Sequence, residues 1–308
     1  MFKYLFSIVL ITIVLLLNNH YNYIALNLFE PSSEGSFRIM TYNTNGISGH
    51  YKDTVFVNDF LEKIDSINPQ ILVLQEMLQP YSKYLCDELQ NRYPYNSLSI
   101  LSKRRHEDRS VACLFSLYPI KSFFRLAYNV EKIDSIYEAY MVPDSIRRPS
   151  HADIYNAVLD IGNRETLVTC CYLRTNDYSK HRLEHLENWF DGIDDYICGY
   201  RFGCAVRNLS AKMICDSIYK YDLPTIVCGD MNDFQSSLAV RTLTGNELKN
   251  AWWERGFGYG MTYDNYHLKL RIDHILVSKE IDVARVTVPH LRFSDHYPIV
   301  ADLKFVDE

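Results

Sequence analysis

RIDHILVS, residues 271–278, is an apolar strand-like run broken by one aspartate, and ARVTV, residues 284–288, follows after a short turn. So short a connection points to antiparallel pairing, because a parallel pair needs a crossover of a dozen residues or more. A mixed sheet therefore fits this chain better than a purely parallel, doubly wound one. Further strand-like runs are FRIMTYN (37–43), QILVLQE (70–76), VACLFSL (111–117), IYNAVLDI (154–161), TLVTCCYL (166–173), TIVCGD (225–230) and PIVADLKF (298–305). Helical spacing joins Phe56, Phe60, Ile64 and Ile67. It also joins Leu183, Leu186, Phe190, Ile193 and Ile197, and then Leu209, Met213, Ile214 and Ile218. Strands alternating with such stripes predict a layered α/β domain in which the stripes pack into the core.

Hydrophobic residues make up 47% of the chain and charged residues 23%, an ordinary globular composition. The net charge of −6 argues against a broad basic face for nucleic acid, although a local patch can still hold phosphates. Residues 1–28 read as a signal-anchor or a signal peptide. The uncharged run from Tyr4 to Leu17 covers only ~21 Å of a ~30 Å hydrocarbon core. It spans if extended toward Leu28 with Tyr21 and Tyr23 at the interface. No small-x-small cleavage site follows Leu17, which favours an uncleaved anchor. Lys3 before the run and no further Lys or Arg until Arg38 place the remainder outside the cytoplasm. Residues 29–36, containing PSSEGS, read as a linker and 37–308 as one catalytic domain, expected to be a monomer.

Cys113, Cys170, Cys171 and Cys228 fall inside apolar runs and read as small core residues. Cys198 and Cys204 flank GYRFG, which reads as a loop, so a disulfide is open to them in an exported protein. No CxxC pair occurs, which disfavours structural zinc.

The chemistry stands at strand ends. Asn43 and Asn45 close the first run and Glu76 the second, and Tyr172 ends TLVTCCY. Asp230 and Asn232 close TIVCGDMN, Asp273 interrupts RIDHIL, and Asp295 and His296 precede the last run. One acid after a strand is usually a turn or helix cap. Several acids gathered with amides and a histidine would repel one another unless a cation sat among them. Hard oxygen donors suit Mg²⁺ or Mn²⁺. In that arrangement Asp295 lies near the metal, His296 reaches the substrate oxygen, and Asp273 orients His296 in its imidazolium form.

MTYNTNG (40–46), LQE (74–76), GDMND (229–233), RIDHIL (271–276) and SDHYPI (294–299) together resemble the endonuclease/exonuclease/phosphatase superfamily, in its order and at its spacing. The resemblance covers residues 37–308. It implies a four-layer α/β sandwich of two mixed, largely antiparallel sheets with helices outside. It also implies that Glu76 is the main metal ligand, assisted by Asn43, with Asp295 near the metal. Asp230 would orient or deprotonate the attacking water and Asn232 would hold the phosphate. His296 would donate to the phosphoryl oxygens, held by Asp273. Two departures stand out. Asn45 replaces an aspartate found near the metal in some relatives. Tyr172, followed by Asn176, stands where the deoxyribonuclease and sphingomyelinase relatives carry a histidine, and apurinic-site relatives share the tyrosine. Tyr172 can donate a phenolic hydrogen bond to phosphate but is no neutral-pH acid–base group.

The implied activity is a metal-dependent phosphoesterase. A nuclease competes with a phosphatase or phospholipid phosphodiesterase, so the substrate is a nucleic acid or a small or lipid phosphate, with the membrane as a partner through residues 1–28. Acidity and the tether lean toward small or lipid phosphates, and the Tyr172/Asn176 pair leans toward nucleases. A binding protein that lost catalysis would lack Glu76, Asp230 or His296 equivalents, and all three are present. GFGYGMTY (256–263) reads as a tight loop beside the site. The basic run SKRRHEDR (102–109) and the arginines Arg201 and Arg207 are candidate substrate contacts, with a solvated loop as the commoner meaning. His151 is read as a loop histidine without a role.

Overall fold

Residues 271–278 and 284–288 do form strands, but the two do not pair with each other. In the computed structural model, β12 (Asp273–Val277) and β13 (Ile281–Thr287) belong to different sheets. The short connection carries the chain across the gap between two stacked sheets, which pack only about 10 Å apart. Each strand is still antiparallel to its true neighbours, so the mixed-sheet expectation holds for a reason other than a hairpin.

The structure describes residues 9, 35–50, 52–77, 83–97, 112–142, 153–176, 189–245, 247–265 and 268–306. The anchor segment other than Val9, most of the linker, the 102–109 run, His151, Leu183 and Leu186 lie outside the described residues.

The remaining strands are β1 (Phe37–Asn43), β2 (Ile71–Gln75), β3 (Tyr95–Asn96), β4 (Cys113–Ser116), β5 (Ile120–Arg125), β6 (Asp153–Ile161), β7 (Arg164–Tyr172), β8 (Thr225–Asp230), β9 (Lys249–Asn250), β10 (Tyr263–Asn265), β11 (Leu268–Leu270) and β14 (Ile299–Phe305). One six-stranded sheet has the order β13-β14-β1-β2-β4-β3 and the other β5-β6-β7-β8-β12-β9, with β10-β11 as a separate pair. Only β1–β2 and β7–β8 are parallel among the named pairs, so both sheets are mixed and largely antiparallel. Alternate side chains of β8 serve different layers. Ile226 and Cys228 join the cluster between the sheets, while Val227 packs with Ala211 and Ile214 on the helical side.

Helices cover the outside. In α1 (Thr54–Ile67), Val57, Phe60, Leu61 and Ile64 are buried, and Asp53 caps the first turn by accepting from Val55 N and Phe56 N. α2 (Lys83–Arg92) buries Leu85 and Leu89 in the same cluster as the first sheet. α3 (Val130–Ala139), α4 (Trp189–Tyr221) and α5 (Leu238–Thr244) cover the second sheet's side. The short α6 (Ala251–Arg255) packs near β12 and β13.

α4 corrects two readings. The stripes around 190–197 and 209–218 are one helix, with no loop at GYRFG. Cys198 and Cys204 are six residues apart on it, about 9 Å along the axis, which no disulfide spans; both thiols are free.

Candidate active site

Strand pairing alone delivers most of the site. Parallel pairing sets Asn43 of β1 opposite Gln75 of β2, so Glu76, one residue on, arrives beside Asn43. In the second sheet Tyr172 of β7 and Asp273 of β12 both lie in register with Asp230 of β8. These three residues form one row across adjacent strands. The turn before β14 then brings His296 up to that row.

Side-chain bonds knit the two sheet ends together. Asn43 Nδ2 donates to Glu76 Oε1 at 2.9 Å and to Asp230 Oδ2 at 2.9 Å, one amide shared by two carboxylates. Asp230 also accepts at Oδ1 from Asn232 N at 2.7 Å and at Oδ2 from Asn232 Nδ2 at 3.1 Å. Asn232 Nδ2 donates to Leu173 O at 3.0 Å as well, so in this arrangement Asn232 positions Asp230. His296 Nδ1 lies 2.9 Å from Asp273 Oδ2, and its Nε2 lies 3.9 Å from Asp230 Oδ2. The Tyr172 hydroxyl bonds to Glu76. Asn45 Nδ2 donates to Asp295 Oδ1 at 3.0 Å, and Asn45 N to Asn43 Oδ1 at 3.0 Å. All eight residues singled out from the sequence therefore meet in one place. Asn45 joins them as a neutral partner of Asp295, where a carboxylate would repel it.

The backbone is bent to do this. Asn45, Glu76 and Asn232 all hold positive φ, at 42°, 55° and 49°. Such φ values are uncommon outside glycine and cost energy that the surroundings must meet. Gly229 is required by close approach as well as by its φ of 141°, since a Cβ there would sit 1.9 Å from Cys171 O.

Charge in the site is unbalanced. Asp230 is buried, and burial together with the Asp273 charge pushes its pKa up to about 7. Burial works against a charged His296, but Asp273 and Asp230 outweigh it and push its pKa up to about 10. Burial, followed by the Glu76 and Asp230 charges, drives the Tyr172 phenol far above its ordinary value, so it stays protonated.

Ligand atoms of Asp230, Asp273 and His296 lie within 4.8 Å of one another. A charged imidazole bound to Asp273 cannot ligate a metal, so this trio is better described as an acid–histidine network. The oxygen donors Glu76, Asn43 and Asp295, linked through the turn at Asn45, fit a hard divalent cation. Asn43 Oδ1 accepts one bond and keeps a second lone pair. No cysteine stands among these donors, and a zinc set is missing there.

Several contributors carried no sequence signal. Thr262 Oγ1 accepts from Ile272 N and Asp273 N, both at 3.1 Å, fixing the strand that carries Asp273. The Tyr263 ring lies 4.9 Å from that of His296, so the 256–263 loop is indeed beside the site. Arg207 is no substrate contact. It is fully buried, with Nε 2.9 Å from Asp233 Oδ2, and Nη1 donates to Arg174 O and Asn176 Oδ1. Asn176 is thereby a structural acceptor. Arg201 lies over the Tyr140 ring on the helical layer, beside a surface cavity of about 520 Å³ shared with Lys132 and Lys212.

Comparison with known proteins agrees with this fold. The model of the Endonuclease/Exonuclease/phosphatase family matches residues 173–296. No curated protein matches the chain. Among solved structures, truncated TDP2 from Caenorhabditis elegans is 15% identical with a TM-score of 0.59, over 90% of this chain and 100% of that one. An endonuclease/exonuclease/phosphatase from Beutenbergia cavernae is 16% identical with a TM-score of 0.61, over 88% and 72%. The 3′ phosphatase NExo from Neisseria, bound to product DNA hairpin, is 17% identical with a TM-score of 0.54, over 88% and 100%. At such identities the likeness is one of fold.

Proposed function

We propose that this chain, which resembles the endonuclease/exonuclease/phosphatase superfamily in fold and in motif order, is a Mg²⁺- or Mn²⁺-dependent hydrolase of phosphodiester bonds of the endonuclease or exonuclease type. One observation carries the reading. The Asn43 amide ties Glu76 to Asp230 directly across from the His296–Asp273 pair. This sets oxygen donors, a basic carboxylate and a cationic donor side by side.

Glu76, Asn43 and Asp295 would hold a divalent cation, which would supply Lewis-acid polarisation of the phosphoryl oxygens when bound. Asp230, aligned by Asn43 and by the Asn232 backbone, takes the proton of the attacking water. His296 keeps its Nδ1 proton on Asp273 and turns Nε2–H toward the phosphoryl oxygen, where negative charge grows. Tyr172 stays protonated and holds Glu76 in place. Asn232 limits the freedom of Asp230, and both hydrogens of its amide are held in this arrangement, by Leu173 O and Asp230 Oδ2.

A relative that binds DNA supports a nucleic-acid substrate. The apolar residues 4–17 favour a second reading, a lipid or small-phosphate esterase held at a membrane outside the cytoplasm. A turnover panel on the full chain in mild detergent separates them. Its substrates are supercoiled DNA, single-stranded RNA, bis-p-nitrophenyl phosphate, p-nitrophenyl phosphate and sphingomyelin, each with Mg²⁺ and with EDTA. Nicking of DNA or RNA that EDTA abolishes is the expected result. Asp230→Ala and His296→Ala should each lower kcat by ~10²–10⁴-fold without loss of fold. Wild-type rates in both variants would remove the site assignment, and rescue by Zn²⁺ alone would remove the oxygen-donor argument.

A further inference from the structure

Lys132, Arg201 and Lys212 line one cavity of about 520 Å³ between α3 and α4, with Leu238 of α5 in its wall. That volume is in the range of small-molecule sites, and no residue of the Asp230–His296 row lines it. A cation on a helix surface is ordinarily solvated or paired with an acid one turn away. None of these three side chains makes an ion pair among the described residues, and Asp216, one turn along from Lys212, stays apart from it.

Their order along the cavity follows from how the two helices pass. Tyr137 packs edge-on against Phe202 with ring centres 5.7 Å apart, and Tyr140 O accepts from Cys198 Sγ at 3.3 Å. Ahead of α3, the Tyr128 hydroxyl meets Ser210 Oγ at 2.8 Å. Rising numbers on α3 thus meet falling numbers on α4, so the helices run antiparallel and Lys132 stands across from the stretch around Asn208. On α4, Arg201, Ala205, Asn208 and Lys212 follow one another at three- and four-residue steps and form one stripe. Lys132, Asn208 and Lys212 therefore gather within about one turn, while Arg201 lies roughly 10 Å away along the axis.

The two ends differ in chemistry. Asn208 Oδ1 accepts from Thr242 Oγ1 at 2.8 Å, which fixes the amide and leaves Nδ2 without an acceptor among the described residues. Two ammonium groups and an amide N–H are a donor set for phosphate. At the other end the Arg201 guanidinium lies over the Tyr140 ring, 5.5 Å from its centre, and Tyr200 is exposed in the same wall. Guanidinium planes and tyrosine rings are surfaces on which bases stack. Between the ends lie the apolar side chains of Ile136, Ala205 and Leu209.

We propose that this cavity is a binding site for a nucleoside monophosphate, separate from the catalytic row. The phosphate lies on Lys132, Lys212 and Asn208, and the base lies against Arg201 and the tyrosines. Charge at one end alone would take any phosphate; the stacking end selects one that carries a flat base.

Isothermal titration of the full chain in mild detergent and EDTA, with AMP, adenosine, inorganic phosphate and octyl phosphate, tests this without any turnover. AMP should bind more tightly than the other three. Lys132 and Lys212 are exposed, so Lys132→Met/Lys212→Met should keep the wild-type Tm. That double variant should weaken AMP about 10- to 100-fold and leave adenosine nearly unchanged. Arg201→Ala should weaken AMP and adenosine alike, by about 3- to 10-fold. His296→Ala should bind AMP as the unmutated protein does. Loss of AMP binding in His296→Ala, with the lysine variant unaffected, would put the nucleotide in the catalytic site and overturn the proposal. Octyl phosphate or inorganic phosphate binding as tightly as AMP would overturn it too, since the base would then contribute nothing. So would an absence of AMP binding at millimolar concentration.

Discussion

Arg207→Met is the perturbation that most cleanly separates a structural arginine from a substrate-binding one. Arg207 is fully buried, and its side chain is 1% exposed beside an Asp233 side chain that is 5% exposed. Its donors serve Asp233 Oδ2, Arg174 O, Asn176 Oδ1 and the Cys204 thiol. Methionine fills much of the same volume but donates nothing, so Asp233 is left as a buried charge without its partner. Breaking one side of a buried pair costs about 3–5 kcal/mol. In a domain of this size each kcal/mol moves Tm by about 2–4 °C, so a fall of roughly 6–20 °C is expected. Asp233→Asn removes the other charge and keeps an oxygen for Phe234 N, which Asp233 Oδ1 now accepts at 3.1 Å.

The double variant should therefore be more stable than Arg207→Met alone, because the stranded charge is gone. It should remain about 1–2 kcal/mol below wild type for the hydrogen bonds lost at Arg174 O and Asn176 Oδ1. Urea unfolding followed by tryptophan fluorescence gives the four stabilities, and the cycle isolates the pair. Asp233 directly follows Asn232, which bonds to Asp230, so activity in Arg207→Met should fall in step with stability. A variant as stable as wild type that nonetheless loses substrate affinity would refute this and restore Arg207 to the substrate.

Gly229→Ala should cost about 2–5 kcal/mol, since its Cβ would meet backbone that cannot step aside and its φ of 141° is hostile to alanine. Gly162→Ala, with φ of 60° and nothing within 4 Å, should cost only about 1 kcal/mol, and thermal melts of the two compare space with φ. His274 is buried with Nε2 3.0 Å from Asp233 O and Nδ1 3.4 Å from Asn250 Nδ2, an arrangement that suits a neutral ring. Burial lowers its pKa to about 4, below the unfolded value of about 6.5. The unfolded chain therefore binds the proton first, and His274's contribution is complete above pH 6.5 and lost as pH falls toward 4. The loss amounts to about 3 kcal/mol. The difference in urea stability between wild type and His274→Gln should shrink by that amount across the window, and a difference independent of pH would refute it.

The sequence disclosed those parts of the fold that bury long apolar runs. β1, β2, β6, β7, β8, β12 and β14 are such runs, and each falls within a residue or two of its expected place. β5, IKSFFR, escaped because its residues are exposed or only half-buried, leaving no apolar face to recognise. GYRFG resembled a loop because glycine favours turns, yet Gly203 is helical. A Cβ there would lie 2.8 Å from Asn176 Oδ1, so glycine marks a close approach and not a break. The clustering of the eight candidate residues was legible because strand ends and motif order bring them together without knowledge of side-chain packing. The arginines were not legible, for a physical reason. Arg207 and Arg271 are the same residue type, both almost wholly buried, and what distinguishes them is whether a carboxylate from elsewhere in the chain arrives. Asp233 reaches Arg207 from a turn 26 residues away, and no acceptor among the described residues reaches Nε or Nη1 of Arg271. Partnership of this kind is a property of the packed chain.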